Sequence, residues 1–186
     1  MRFFLVLSPG ALTLLGWLAA CGARPDAATN TDANVLLSTG FEQNIGWGGP
    51  QPSLTTTKAH TGQVAVLASP EVPFGYTYAR TLGALGLGAP PRQLELTAWA
   101  LRTAAGSTAR LVVQLDTSPT DEKQVFYAAL PLAEAVPTFG EWRQVRLPLD
   151  LPASAAGGNQ LKIYLWNDKG TSPTYLDDVV LRRAAK

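Results

Sequence analysis

At 186 residues, with 46% hydrophobic and 16% charged residues, the chain has the size of one folded domain and not the composition of a disordered one. Fifteen Lys and Arg against 14 Asp and Glu leave a formal charge of +1, so the chain as a whole has no electrostatic attraction to nucleic acid. One Cys and one His exclude an intrachain disulfide and a zinc site built on several His or Cys ligands, while 17 Gly and 14 Pro favour a turn-rich, all-β chain.

The chain opens with one charge, Arg2, an apolar run from Phe3 to Leu18 broken by Ser8, Pro9 and Gly10, and then small residues. That order reads as a secretory signal rather than a domain helix. Its end, Leu18-Ala19-Ala20-Cys21, resembles a bacterial lipobox, which implies a lipoprotein signal peptide over 1–20 and lipidation of Cys21. Several acyl chains on one residue give lasting anchorage, since each buried methylene contributes roughly 0.8 kcal/mol. Gly22, in place of the Asp that retains enteric lipoproteins at the inner membrane, points to the outer membrane of the cell envelope. Loss of the signal, with Arg2, leaves 14 basic against 14 acidic side chains. Residues 21–34 hold the lipidated Cys and then Gly22 to Asn34, which lack apolar periodicity and read as a disordered tether with a reach of about 20 Å.

From Val35 to Arg183, short runs of β type alternate with Gly, Pro, Asn and Ser clusters, and residues 184–186 form a tail. Strands are expected at 35–40, 54–58, 63–68, 76–82, 92–102, 110–116, 124–130, 142–149, 160–166 and 174–182. Leu94, Leu96, Ala98 and Ala100 recur at every second position, as do Leu111, Val113 and Leu115, then Val145, Leu147 and Leu149, then Leu161, Ile163 and Leu165. Alternation with period two puts each set on one face, as antiparallel sheets need when one face packs and the other meets water. The expected fold is all-β, a two-sheet antiparallel jelly-roll sandwich. Helix is expected only in short pieces, at 132–136 and 154–156.

Four segments carry a family resemblance: Phe41-Glu42 followed by Trp47, the run Lys58-Ala59-His60-Thr61-Gly62-Gln63-Val64-Ala65-Val66, Gly140-Glu141-Trp142-Arg143-Gln144-Val145, and Tyr175-Leu176-Asp177-Asp178-Val179-Val180-Leu181. In this order they resemble the carbohydrate-binding jelly-roll modules of the galactose-binding-domain-like superfamily, across residues 36–181. The resemblance implies one structural Ca²⁺ where the first and last strands meet, with Glu42 and Asp177 as carboxylate ligands and carbonyls of 58–62 beside them; such an ion takes six to eight oxygens. Alternation sends Asp178 to the face opposite Asp177, so one of the pair enters the site. The resemblance also implies that Trp142 packs in the core, that Trp47 closes one end of the sandwich, and that His60 is a hydrogen-bonding turn residue.

Sugar rings present C–H faces that flat aromatic side chains match, with polar groups beside them for the hydroxyls. With Leu161, Ile163 and Leu165 inward, Lys162, Tyr164 and Trp166 face outward; by the same alternation Trp99 and Glu95 oppose the apolar set of their strand, and Gln114 opposes its own. If these strands share a sheet, Trp99, Tyr164 and Trp166 form an aromatic platform edged by Glu95, Gln114 and Lys162. Tyr76 and Tyr78 share a face with Arg80 and read equally as a binding edge or a packed strand. The loop 167–173 reads as a cover or a specificity loop. With His60 as the only imidazole base, no G-x-S-x-G and no clustered acidic strand motif, no catalytic site is expected. The reading is a lipid-anchored, non-catalytic protein binding a polysaccharide or glycan, with an envelope protein as a further partner; the alternative is a structural or protein-interaction lipoprotein that keeps the jelly roll without sugar binding.

Overall fold

The computed structural model describes residues 33–44, 51–87 and 92–184, so residues 1–20, expected to be a signal peptide, and Cys21 and Trp47 lie outside the described residues. Ten strands occur among the described residues: β1 (Val35–Thr39), β2 (Leu54–Thr55), β3 (Ala65–Ala68), β4 (Tyr78–Thr81), β5 (Gln93–Arg102), β6 (Arg110–Asp116), β7 (Gln124–Pro131), β8 (Trp142–Asp150), β9 (Gln160–Trp166) and β10 (Thr174–Arg183). They form two antiparallel sheets. The first runs β2-β3-β10-β5-β8, with β1 also paired to β10; the second runs β4-β9-β6-β7. The chain is thus a jelly-roll sandwich, as the alternation implied.

The four alternating sets meet between the sheets: Leu94, Leu96, Ala98 and Ala100 of β5 and Val145, Leu147 and Leu149 of β8 face Leu111, Val113 and Leu115 of β6 and Leu161, Ile163 and Leu165 of β9 in one core. Each fully buried Leu contributes roughly 2 kcal/mol relative to exposure. Tyr76 and Tyr78 pack against this core as well, so β4 is a packed edge strand rather than a binding edge, with the Arg80 guanidinium 5.9 Å from the Tyr78 ring.

Of the two expected helical pieces, one forms, α1 (Leu132–Ala135). One turn cannot sustain itself in water, and tertiary contacts hold it. Buried Arg102 donates from Nη1 to the carbonyls of Ala133 (3.1 Å) and Val136 (2.8 Å) and from Nε to Ser107 O (2.7 Å), with the Phe139 ring 5.0 Å from its guanidinium carbon. The other piece, 154–156, is a turn, closed by Ala155 N donating to Pro152 O at 3.0 Å and by Asn159 bonding back to Ala156. Proline, glycine and a self-bonding Asn outcompete helix over so short a run.

Candidate functional site

On the outer face of the second sheet, register sets the residues in rows. Gln114 of β6 sits between Tyr127 of β7 and Lys162 of β9, and Val112 sits between Ala129 and Tyr164 in the next row. Arg110 and Trp166 pair in the row beyond, where Phe74 bridges to Trp166. Phe74, Thr77, Gln114, Lys162 and Tyr164 line a concavity of about 250 Å³, near the lower end of the range for small-ligand sites, roughly 300 Å³ upwards. Phe74 is 57% exposed, and its ring stands edge-on to Tyr164 at 6.3 Å between centroids. Gly75 makes this wall possible: its N–H donates to Leu165 O at 2.8 Å, and a Cβ there would lie 2.5 Å from Val66 Cγ1.

The polar floor is a connected chain. Tyr164 OH donates to Gln114 Oε1 (3.1 Å), and Gln114 Nε2 donates to Asp116 Oδ1 (2.7 Å). Lys162 Nζ lies 2.9 Å from Asp116 Oδ2, an ion pair whose angle falls short of a hydrogen bond, and donates to Glu122 Oε1 at 2.7 Å. Hydrogen bonding to Glu122, then contact with Asp116, hold the Lys162 ammonium above its ordinary pKa. Burial pushes the Tyr164 phenol up, with Tyr127 and Asp116 adding to the effect, so it stays protonated and donating at neutral pH. Floor and aromatic wall together match what a sugar ring requires: C–H faces against rings, hydroxyls against oriented polar groups.

The expected platform is divided by the topology. Lys162, Tyr164 and Gln114 line the concavity, and Trp166 shares their face without lining it. Trp99 and Glu95 stand on β5, in the other sheet, and so face away on the far side of the sandwich. There Glu95 lies 3.1 Å from Arg146 and 3.8 Å from Arg182, and Trp99 stacks on His60 with centroids 3.8 Å apart and planes 13° apart. Alternation says which residues point outward; it does not say which sheet a strand joins. Phe74 escaped sequence reading because it lies between Pro73 and Gly75, where no alternation holds, and Thr77 because it falls opposite Tyr76 and Tyr78 on the strand expected at 76–82. No residue of the loop 167–173 lines the concavity; Asp168 Oδ2 takes a hydrogen bond from Arg110 Nε (2.6 Å), and Thr171 N donates to Gly106 O.

A second polar cluster lies where β1 and β10 meet the turn 60–64. Asp177 Oδ2 accepts from the backbone N–H of His60 (2.8 Å) and Thr61 (3.2 Å), and its Oδ1 from Asp178 N (2.7 Å). Asp178 accepts from Thr61 Oγ1 (2.7 Å) and pairs with His60 Nδ1 (2.6 Å). Both aspartates therefore serve one turn, against the expectation from alternation. The cause is a bulge between Asp177 and Val180 with Asp178 at φ +46°, which re-aims its side chain. His60 is the hydrogen-bonding turn residue expected, and it also carries ring contacts. Trp142, expected in the core, instead lies on the outer face of the first sheet, its ring 5.7 Å from His60 and edge-on.

Glu42 Oε1 closes the same turn from the other side, accepting from Gln63 N (2.8 Å) and Val64 N (2.9 Å). Five carboxylate oxygens thus take N–H or O–H donors, the arrangement of a hydrogen-bonded clasp. Ca²⁺ takes six to eight oxygens turned toward one centre, and no group of three or more His, Cys, Asp or Glu is so placed among the described residues. As arranged, Glu42 Oε1 and both Asp177 oxygens accept from backbone N–H groups. The melting temperature in millimolar Ca²⁺ is accordingly expected to match that in chelator; a rise of several degrees with Ca²⁺ would place the ion in the clasp. Gly62 sits at φ +61°, and a Cβ there would fall 2.2 Å from Glu42 Oε1. Gly62→Ala is therefore expected to cost about 2 kcal/mol in denaturant unfolding, from the left-handed backbone and the displaced carboxylate together.

No protein-family model and no curated protein sequence matches this chain. Solved structures do resemble it. The C-terminal family 22 carbohydrate-binding module of Clostridium thermocellum Xyn10B aligns over 82% of this chain and 94% of its own, at 13% identity and TM-score 0.51. The CBM22-2 xylan-binding domain of Paenibacillus barcinonensis Xyn10C aligns over 80% and 99%, at 15% identity and TM-score 0.50. The CBM22-1-CBM22-2 tandem domain of the same Xyn10C aligns over 86% and 52%, at 14% identity and TM-score 0.55. At such identities the likeness is one of fold: this chain has the jelly-roll fold seen in carbohydrate-binding modules.

Proposed function

We propose that this chain is a non-catalytic, lipid-anchored envelope protein that binds carbohydrate on the outer face of its second sheet. The observation that carries the reading is the concavity walled by Phe74 and Tyr164 over the bonded floor of Gln114 and Lys162. An exposed aromatic wall favours a glycan over a purely structural role, because a large apolar side chain left open beside oriented polar groups is what a ligand face requires. The fold is shared with structures described as xylan-binding domains, which supports the class of ligand. The lipid anchor rests on the Leu18-Ala19-Ala20-Cys21 order.

Incubation of the purified protein with a panel of insoluble polysaccharides is expected to deplete it from solution on at least one, and Phe74→Ala with Tyr164→Ala to abolish that depletion while leaving the melting curve cooperative. Failure of the folded protein to bind any member would overturn the reading. Anchoring is tested separately: cells fed labelled palmitate should label the protein, and Cys21→Ala should remove the label.

A further inference from the structure

We infer that the concavity on the second sheet selects uncharged glycans and discriminates against those carrying carboxylates; the inference rests on the carbohydrate-binding reading. Among the described residues, Lys162 is the sole charged one lining the concavity, and would ordinarily attract an anionic sugar. Its ammonium is already committed. Asp116, fully buried, stands 2.9 Å behind it, and Glu122, 72% exposed, holds it at 2.7 Å from the loop before β7. Two carboxylates against one ammonium leave this trio with a net charge of −1. A uronate entering the concavity would have to displace Glu122 from Lys162 and would still meet Asp116, an anion that cannot move out of the sheet.

The other cations of this sheet do not reverse that balance. Arg110 is paired with Asp168 at 2.6 Å, Arg80 lies against Tyr78 on the β4 edge, and Lys123, beside Glu122 in sequence, does not line the concavity. A hydroxyl, in contrast, can use the floor as it stands. Tyr164 OH, engaged as a donor to Gln114, keeps its lone pairs, and Lys162, hydrogen-bonded to Glu122 and paired with Asp116 by charge alone, keeps N–H donors for a hydroxyl. Glu122 thereby acts as a specificity residue on an exposed side chain, and Asp116 as its buried counterpart.

The test uses the full chain purified in detergent, with neutral polysaccharides such as cellulose, mannan and galactan and the same polymers oxidised at C6 to carboxylates. The linkage is then constant and only the charge differs. The intact protein is expected to bind the neutral form at least about threefold more tightly than its oxidised counterpart, the scale of partly exposed charge pairs, with the ratio shrinking as salt rises. Glu122→Gln, at an exposed position, is expected to bring the ratio close to one. Equal or tighter binding of the oxidised polymer by the intact protein would overturn the inference while leaving the glycan reading standing. A ratio unmoved by Glu122→Gln would also overturn it. Binding to neither form would instead overturn the glycan reading itself.

Discussion

Tyr164→Ala is expected to weaken binding to whichever polysaccharide the intact protein retains by about tenfold. Aromatic contacts of this kind contribute roughly 0.5–1.5 kcal/mol beyond the area they bury, and the ring forms one wall of the concavity with Phe74 edge-on to it. The loss has a second component, because Tyr164 OH donates to Gln114 Oε1 and so orients the floor. Tyr164→Phe separates the two: it keeps the wall and removes the hydroxyl, and about a threefold loss is expected, one modest hydrogen bond. Isothermal titration of the three proteins measures this directly. Equal losses for Phe and Ala would show that the ring contributes nothing by stacking.

Asp177→Ala carries the largest expected effect on stability. The side chain has no exposed surface and is the acceptor for three backbone N–H groups, those of His60, Thr61 and Asp178. Its removal leaves three donors without a partner at about 1 kcal/mol each, so about 3 kcal/mol is expected in urea unfolding, or a melting temperature lower by about 10 °C. Asp177→Asn, which keeps one acceptor oxygen, should cost less. Burial also pushes the Asp177 carboxyl up, against the lowering effect of its amide bonds. Between the unfolded value, about 4, and the raised folded value, the native state holds a proton that the unfolded chain has released. Stability from this group is therefore present at low pH and falls as pH rises through that window. The difference in unfolding free energy between the intact protein and Asp177→Asn, followed from pH 3 to 8, should shift in that sense.

The fold was legible because its signal is local. Leu94 to Ala100, Leu111 to Leu115 and Leu161 to Leu165 place an apolar residue at every second position, and β6 and β9 span those runs with one flanking residue at each end. The candidate site was legible only in the part that one strand or one register pair carries: Lys162 and Tyr164 lie on β9, and Gln114 faces Lys162 directly. Trp99 and Glu95 were drawn into the same platform because outward orientation is a property of a strand, whereas sheet membership is decided by distant pairings. Asp178 was misplaced for a different reason. Alternation assumes an unbroken pleat, and the bulge at Asp177–Val180 inserts one residue. Phe74 lay between Pro73 and Gly75, where no period exists to read.

The pairing of β1 with β10 bears on how the domain would carry load. The chain enters at residues 33–35, where Arg183 bonds back to Ala33 and Asn34, and β1 then runs inward along β10 on the first sheet. The concavity lies on the second sheet, across the core. Tension on the chain preceding residue 33 would therefore reach β1 before any other strand, at the ladder that pairs Val35 with Arg182 and Thr39 with Val179. Single-molecule pulling from the N-terminal side should accordingly detach β1 from β10 first, which makes the entry strand the mechanical fuse of the domain.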